Sequence, residues 1–206
     1  MAERVAVAPR RAEPAELPKL ARMLARAFHE DPVATWACPP EKLRPRVLER
    51  LFGMRLRDLH GRGEIWTDDE LRSVAAWAAP DRWRSTARED IAYASCLLHP
   101  RLLLRMPMVV TGMLGAEKVH PHEPPHWYLA ILGTDPSAQG LGLGSALMAP
   151  VLDECDRDGV GAYLESSKEQ NLDYYARHGF RVRSERRLPR GPSLWPMWRD
   201  PRGRNR

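Results

Sequence analysis

Apolar residues at Leu17, Leu20, Leu24 and Phe28 recur at helical spacing and predict an amphipathic helix over Leu17–His29, preceded by a short strand at Val5-Ala6-Val7 ahead of Pro9. After Pro32, Pro39 and Pro40 break the chain, Leu43, Val47, Leu48, Leu51, Met54 and Leu59 mark a second helix that ends near Gly61 and Gly63, its arginines on the outer face. Glu64–Thr67 and Ser73–Ala78 flank the acidic turn Asp68-Asp69-Glu70 and predict a hairpin. Helical patterns then cover Ile91–Leu104 and Met108–Val119, with Pro107 expected to break the chain between them.

Beyond the rigid stretch Pro121 to Pro125, Trp127-Tyr128-Leu129-Ala130-Ile131-Leu132 is a near-continuous apolar run, as expected of a central strand buried on both faces. A glycine-rich turn follows, then a helix over Leu143–Asp158 kinked at Pro150, and a strand at Ala162–Ser166. Asn171–His178 reads as a short helix closed by Gly179, Phe180–Val182 as a strand and Leu194–Trp198 as the last strand. The pattern predicts an α/β fold in one domain over residues 1–206, with Arg202–Arg206 as a solvated tail.

Composition narrows the class. With 43% apolar and 29% charged residues, the chain is globular rather than disordered. No apolar run approaches membrane-spanning length and Met1-Ala2-Glu3-Arg4 opens no signal peptide, so no membrane partner is expected and the expected location is cytoplasmic. Cys38, Cys96 and Cys155 are widely spaced without a CxxC pair and read as reduced structural thiols. Much of the net charge of +5 sits in C-terminal arginines. Arg181, Arg183 and Arg187 alternate along a strand pattern rather than forming a nucleic-acid surface.

The strongest chemical signal is strand, then Gln139-Gly140-Leu141-Gly142-Leu143-Gly144-Ser145, then helix. Glycines let backbone N–H groups approach an anion, and the helix start adds partial positive charge. No Gly-Lys-Ser/Thr follows, and the third glycine of a dinucleotide fingerprint is misplaced, so a different pyrophosphate is implied. His120-x-His122-x-x-x-His126 has metal-like spacing, but prolines stiffen the segment and only Glu123 lies near, so no metal is expected.

The order strand, Gln139-x-x-Gly142-x-Gly144, helix, strand, Asn171-x-x-x-Tyr175-x-x-x-Gly179-Phe180 resembles the cofactor half of the GNAT superfamily of N-acetyltransferases. Trp127–Ala130, Gly140–Ala146, Leu164-Glu165-x-Ser167, Asn171-Leu172 and Pro150 resemble its puromycin N-acetyltransferase-like branch. That resemblance implies a mixed, largely antiparallel sheet of six to seven strands flanked by helices, with a splayed strand pair. It implies transfer of an acetyl group from acetyl-CoA to a primary amine. The backbone of Ile131, Leu132, Gly133 and Thr134 would pair with the pantetheine arm, Gly133 suiting a bulge and the Leu132 region facing the thioester oxygen. The N–H groups from Gln139 to Ser145 would hold the pyrophosphate, with Asn171 and Arg177 contacting the cofactor.

Attack by a neutral amine needs a proton acceptor and an acid for the departing thiolate. Tyr175 fits the acid, because a phenol stays protonated at neutral pH; Tyr174 reads as packing. Glu165, beside the slot, is the first candidate for proton acceptor, with His126 or a water chain as alternatives. His29, Glu30, Asp31 and Trp36 fall where the resembled family lines its acceptor pocket. The expected acceptor is a small amine such as an aminonucleoside or other antibiotic; a protein lysine acceptor or a non-catalytic acyl-CoA sensor are the alternatives. An exposed C-terminal edge strand would suit a homodimer.

Overall fold

The computed structural model describes residues 8–203; the strand expected at Val5–Val7 lies outside them. Its frame is an eight-stranded mixed sheet made of β1 (Arg10–Arg11), β2 (Gly63–Thr67), β3 (Ser73–Ala78), β4 (His126–Thr134), β5 (Gly161–Ser166), β6 (Arg181–Val182), β7 (Arg186–Arg187) and β8 (Ser193–Arg199). The order is β1-β2-β3-β4-β5-β8-β6, with β7 pairing β8. Only β4 and β5 run parallel, so their connection needs a crossover helix. The sheet exceeds the expected six to seven strands through its two-residue pieces.

Seven helices flank it among the described residues: α1 (Leu17–Ala27), α2 (Pro32–Ala37), α3 (Arg44–His60), α4 (Ala87–Ala94), α5 (Met106–Glu117), α6 (Leu143–Asp158) and α7 (Leu172–Arg177). One face of the sheet buries Val74, Ala76 and Ile131 against Leu20, Leu24, Phe52 and Leu56 of α1 and α3. The other buries Trp77, Leu129 and Leu164 against Leu147, Met148, Val151 and Leu152 of α6 and Tyr175 of α7. Each fully buried Leu contributes about 1.5–3 kcal/mol. Strand β3, buried at every position, is covered from both sides.

Helix α6 has the expected bounds and continues through Pro150. Other expectations need correction. Helix α4 begins earlier than Ile91, because Thr86 and Glu89 form a capping box, and it ends at Ala94. A 3-10 turn follows at Ser95–Leu97. The break lies there, ahead of Pro100, which disfavours helical backbone at His99. Pro107 sits in the first turn of α5, where its missing N–H costs nothing. Arg44 is buried rather than on an outer face, and its guanidinium donates to the carbonyls of His29, Cys38 and Pro39 at 2.8–3.0 Å. Arg199 is buried too, donating to Asp156 at 2.6 Å and to the His178 carbonyl at 2.9 Å, which ties β8 to α6 and to the end of α7.

The bulge expected at Gly133 lies elsewhere. Ala76 pairs Ile131 and Trp77 pairs Leu129, so Ala130 is the extra residue. Gly133 stays in register with Val74 and is small because a Cβ there would come within 2.5 Å of Leu24 and 2.9 Å of Phe28. Gly133→Ala should therefore lower stability by about 1–3 kcal/mol through overpacking. Urea denaturation against the parent protein checks this.

Candidate active site

Pairing between β4 and β5 stops at Tyr128↔Tyr163, although β4 continues to Thr134 and β5 to Ser166. The extra residue Ala130 follows at once and increases local twist, turning the rest of β4 away. Residues Leu129–Thr134 thus pair only with β3, which leaves the β5-facing edge of Ile131, Leu132, Gly133 and Thr134 open for a strand-like ligand.

Past β4 the chain turns over Asp135, whose carboxylate accepts from Ser137 and Arg26. Gln139 is exposed and donates to the Thr134 carbonyl at 3.3 Å. Gly140 and Gly142 both have φ +82°, which L side chains rarely adopt, and a Cβ at either would meet nothing within 4 Å. This is an open cradle of backbone in front of the sixteen-residue helix α6, with Leu141 at its tip and Leu143 buried behind it. An anionic pyrophosphate fits such a cradle.

Helix α7 presents two tyrosines. Tyr175 is buried against Phe180, and burial, with Tyr174 and Asp31 close by, pushes its phenol above the ordinary value. Tyr174 does more than pack. A Cβ on Gly144 would lie 2.8 Å from its hydroxyl, and the Ser145 hydroxyl is 3.4 Å from that oxygen and 3.0 Å from His178 Nε2. Arg177 is exposed with its guanidinium over the Tyr174 ring at 5.8 Å, and Asn171 ends the 3-10 turn ahead of α7.

On the opposite face of the opening, Glu165 of β5 lies where the strands part. The Tyr128 hydroxyl donates to Glu165 Oε2 at 2.8 Å, and His120 Nδ1 lies 3.7 Å from Oε1. Burial and the Glu165 charge hold the Tyr128 phenol well above its ordinary value. His126 is buried, and desolvation lowers its pKa. Asp31 carries the loop after α1 to the same opening: it caps α2 by accepting from Val33 and Ala34 and accepts the Ser167 hydroxyl at 2.5 Å.

This arrangement has known relatives. Residues 63–180 match the family model described as acetyltransferase (GNAT) family. The chain belongs to the GNAT family. An uncharacterized N-acetyltransferase of Schizosaccharomyces pombe is 26% identical over 183 residues, covering 84% of this chain and 74% of the relative. The histone acetyltransferase HPA2 and related acetyltransferase from Corynebacterium glutamicum superposes with TM-score 0.69 at 24% identity, covering 98% of this chain and 100% of that one. Arylalkylamine N-acetyltransferase 2 from Aedes aegypti gives TM-score 0.57 at 11% identity over 95% of this chain and 99% of that one.

In this acyl-CoA-dependent acetyltransferase, the open edge of β4 leads into the glycine cradle ahead of α6, Asn171 and Arg177 stand at the two ends of α7, Glu165 lies on β5 beyond the last pair with β4, and His126 lies in the paired stretch opposite Gly161. Sequence reasoning missed the Tyr174 hydroxyl, His120, Tyr128 and the Asp31–Ser167 bond. The three histidines do not converge as their spacing suggested: His120 meets His126 through Nε2 and Glu165 through Nδ1, and His122 pairs with Arg84.

Two outcomes follow from this geometry. Gly142→Glu, which puts a charged side chain into the cradle, should abolish acetyl-CoA binding in calorimetry while costing about 1–2 kcal/mol of stability from its left-handed backbone. His126 and His178 both have lowered pKa values in the fold, each first through burial, from the ordinary 6.5. The unfolded chain therefore binds more protons below that value, so their contribution is fully present above pH 6.5 and lost as pH falls. Urea midpoints should drop from pH 7 toward pH 5, and less steeply in His178→Asn.

Proposed function

We propose that this acetyltransferase moves the acetyl group of acetyl-CoA to the primary amine of a small molecule, an aminonucleoside or other antibiotic of the kind handled by puromycin N-acetyltransferase-like enzymes. The observation that carries the reading is the pairing of roles across the strand opening: a protonated phenol at Tyr175 on one side and a carboxylate at Glu165 on the other. Acetyl-CoA would lie with its pantetheine arm along Ile131–Thr134 and its pyrophosphate on the N–H groups of Gln139–Ser145, with Asn171 and Arg177 beside it. Tyr174 would add a hydroxyl to the pyrophosphate end.

The neutral amine attacks the thioester carbon, and the N–H near Leu132 faces the oxygen as charge develops on it. Glu165 takes the proton that the ammonium must lose before attack, Tyr175 gives its phenolic proton to the thiolate, and the second proton, lost by nitrogen as the amide forms, restores the Tyr175 phenol. Because Tyr175 is held above its ordinary value by burial, it stays protonated through the whole neutral and mildly alkaline range, and it gives up its proton only as a strongly basic thiolate forms beside it.

A small acceptor suits the far side of the opening better than an extended peptide. Helix α2, helix α5 and the Leu188–Gly191 loop pack on one another: Trp36 of α2 donates to the Pro189 carbonyl at 3.1 Å, and Gly112 and Gly191 both pack on its ring. Cys38, Leu97, Leu102, Val109 and Leu194 complete this apolar cluster, which would leave room for a compact acceptor rather than an extended chain if it borders the slot.

Tyr175→Phe should bind acetyl-CoA with unchanged affinity in calorimetry and lose kcat by about 10²-fold or more in a thiol-release assay with puromycin and a panel of primary amines. Glu165→Gln should lose a similar factor. A wild-type protein that binds acetyl-CoA but releases thiol with no amine would point to a sensor, and turnover only with lysine peptides would move the acceptor to protein.

A further inference from the structure

Behind Glu165 lies a set of buried groups that the chemistry above does not use. His120 and His126 are both buried, with their Nε2 atoms 3.0 Å apart, and His126 Nδ1 lies 2.8 Å from the Pro124 carbonyl. A carbonyl only accepts, so a neutral His126 carries its proton on Nδ1 and offers Nε2 as an acceptor. The proton between the rings therefore belongs to His120 Nε2. That leaves His120 Nδ1 bare, and it is the atom facing Glu165 Oε1 at 3.7 Å. This is an ion-pair distance rather than a hydrogen bond, and it can shorten once a proton enters.

The surroundings hold both partners still. Trp83 stacks on the His120 ring at 3.6 Å and 18°, and Tyr128 pins Glu165 through Oε2, leaving Oε1 for His120. The Tyr163 hydroxyl is buried without a partner among the described residues. An open cleft of about 250 Å³, lined in part by Pro121, Pro124, Tyr163 and Trp198, adjoins the pair. His120 itself arrives on residues 79–125, the connection between β3 and β4, antiparallel neighbours that a tight turn could have joined.

We propose that His120 draws the acceptor's proton from Glu165 and holds it as an imidazolium between Glu165 and His126 until the product leaves. This rests on Glu165 being the proton acceptor. The ammonium N–H breaks as an O–H forms on Glu165; that O–H breaks as an N–H forms on His120 Nδ1, leaving a carboxylate beside an imidazolium, and that N–H breaks in turn as the proton passes to solvent after the product leaves. Without such a step, a protonated Glu165 would have to shed its proton through the acceptor slot before the next amine binds. His120 acts through Glu165 and is a positioning residue, and His126 fixes its tautomer. The titratable groups that face His120 are His126 and Tyr128 of β4 and Tyr163 and Glu165 of β5; beyond them, Asp81 bears on His126 and Arg55 of α3 on Tyr128.

The test begins with full-length protein carrying isotope-labelled histidine and no acceptor. Long-range nitrogen–proton spectra at neutral pH should show His126 protonated on Nδ1 and His120 on Nε2, and Glu165→Gln should lower the His120 titration midpoint by about one pH unit. The opposite tautomers, or a midpoint that Glu165→Gln leaves unmoved, would overturn the proposal. In turnover with acetyl-CoA and puromycin or another primary amine, His120→Gln should lower kcat by about tenfold or more and remove the acid limb of the kcat profile, with the KM for acetyl-CoA unchanged. Wild-type kcat and acid limb in that variant would equally overturn it. If the wild-type protein acetylates no amine, the functional reading fails, while the tautomers and the midpoint still decide whether His120 and Glu165 are coupled.

Discussion

The parting of β4 from β5 after Tyr128↔Tyr163 is the constraint on which the site depends. Backbone N–H and C=O groups inside a sheet demand partners, and a strand that loses its neighbour must find another. Here β4 keeps β3 on one side through Thr134 and opens its other edge at the same level, so the freed edge is a template for an extended ligand. Ala130 is the residue that lets this happen without loss of the β3 ladder. It adds one residue to β4 opposite the Ala76–Trp77 step, and β4 rotates relative to β5 while its pairing with Ala75, Val74 and Ser73 resumes. A regular strand would have zipped to β5 and closed the gap.

Because the opening runs through the sheet, it joins two differently furnished faces. On the α6 and α7 side are the glycine cradle, the Tyr174 hydroxyl at Gly144 and the buried Tyr175. On the other are Glu165, Tyr128 and the two histidines, with Asp31 brought in by the loop that Arg44 clamps. A group-transfer reaction between two separately bound molecules needs such a division, because each must reach the reacting carbon without crossing the other's path. The Asp31–Ser167 bond ties the first loop to the end of β5, so the two sides are set by one rigid frame.

Much of this frame was legible in local pattern. The apolar run at Trp127–Leu132 marked the central strand, although β4 buries one face and only half-buries the other rather than both, and the glycine cluster marked the cradle. Helix α6 has the bounds its pattern implied, because local periodicity and turn chemistry agree there with burial. What escaped depends on partners far away in the chain. Gly133 was assigned a bulge because glycine permits one, yet its size is set by Leu24 and Phe28, about a hundred residues earlier. Arg44 was placed outside because charged residues usually are, yet two carbonyls from the loop ahead of α3 and one from the loop after α1 satisfy it. Residues 79–125 gave the weakest pattern because their helices pack on α2, α3 and the Leu188–Gly191 loop rather than on the sheet. His120 could be connected to Glu165 only once that segment was folded back.

Burial sets the charge states around the opening. Burial favours neutral forms throughout: the Tyr175 and Tyr128 phenols are held above their ordinary values and His126 below its own. Such a site suits a step that begins with a neutral amine and a thioester and ends with an amide and a thiol. One proton per turnover is nevertheless left over whenever the acceptor arrives as an ammonium. The Glu165 carboxylate meets the Tyr128 hydroxyl at 2.8 Å and His120 Nδ1 at 3.7 Å. The stack on Trp83 and the Nε2 hydrogen bond to His126 together hold the His120 ring so that its other nitrogen faces the carboxylate.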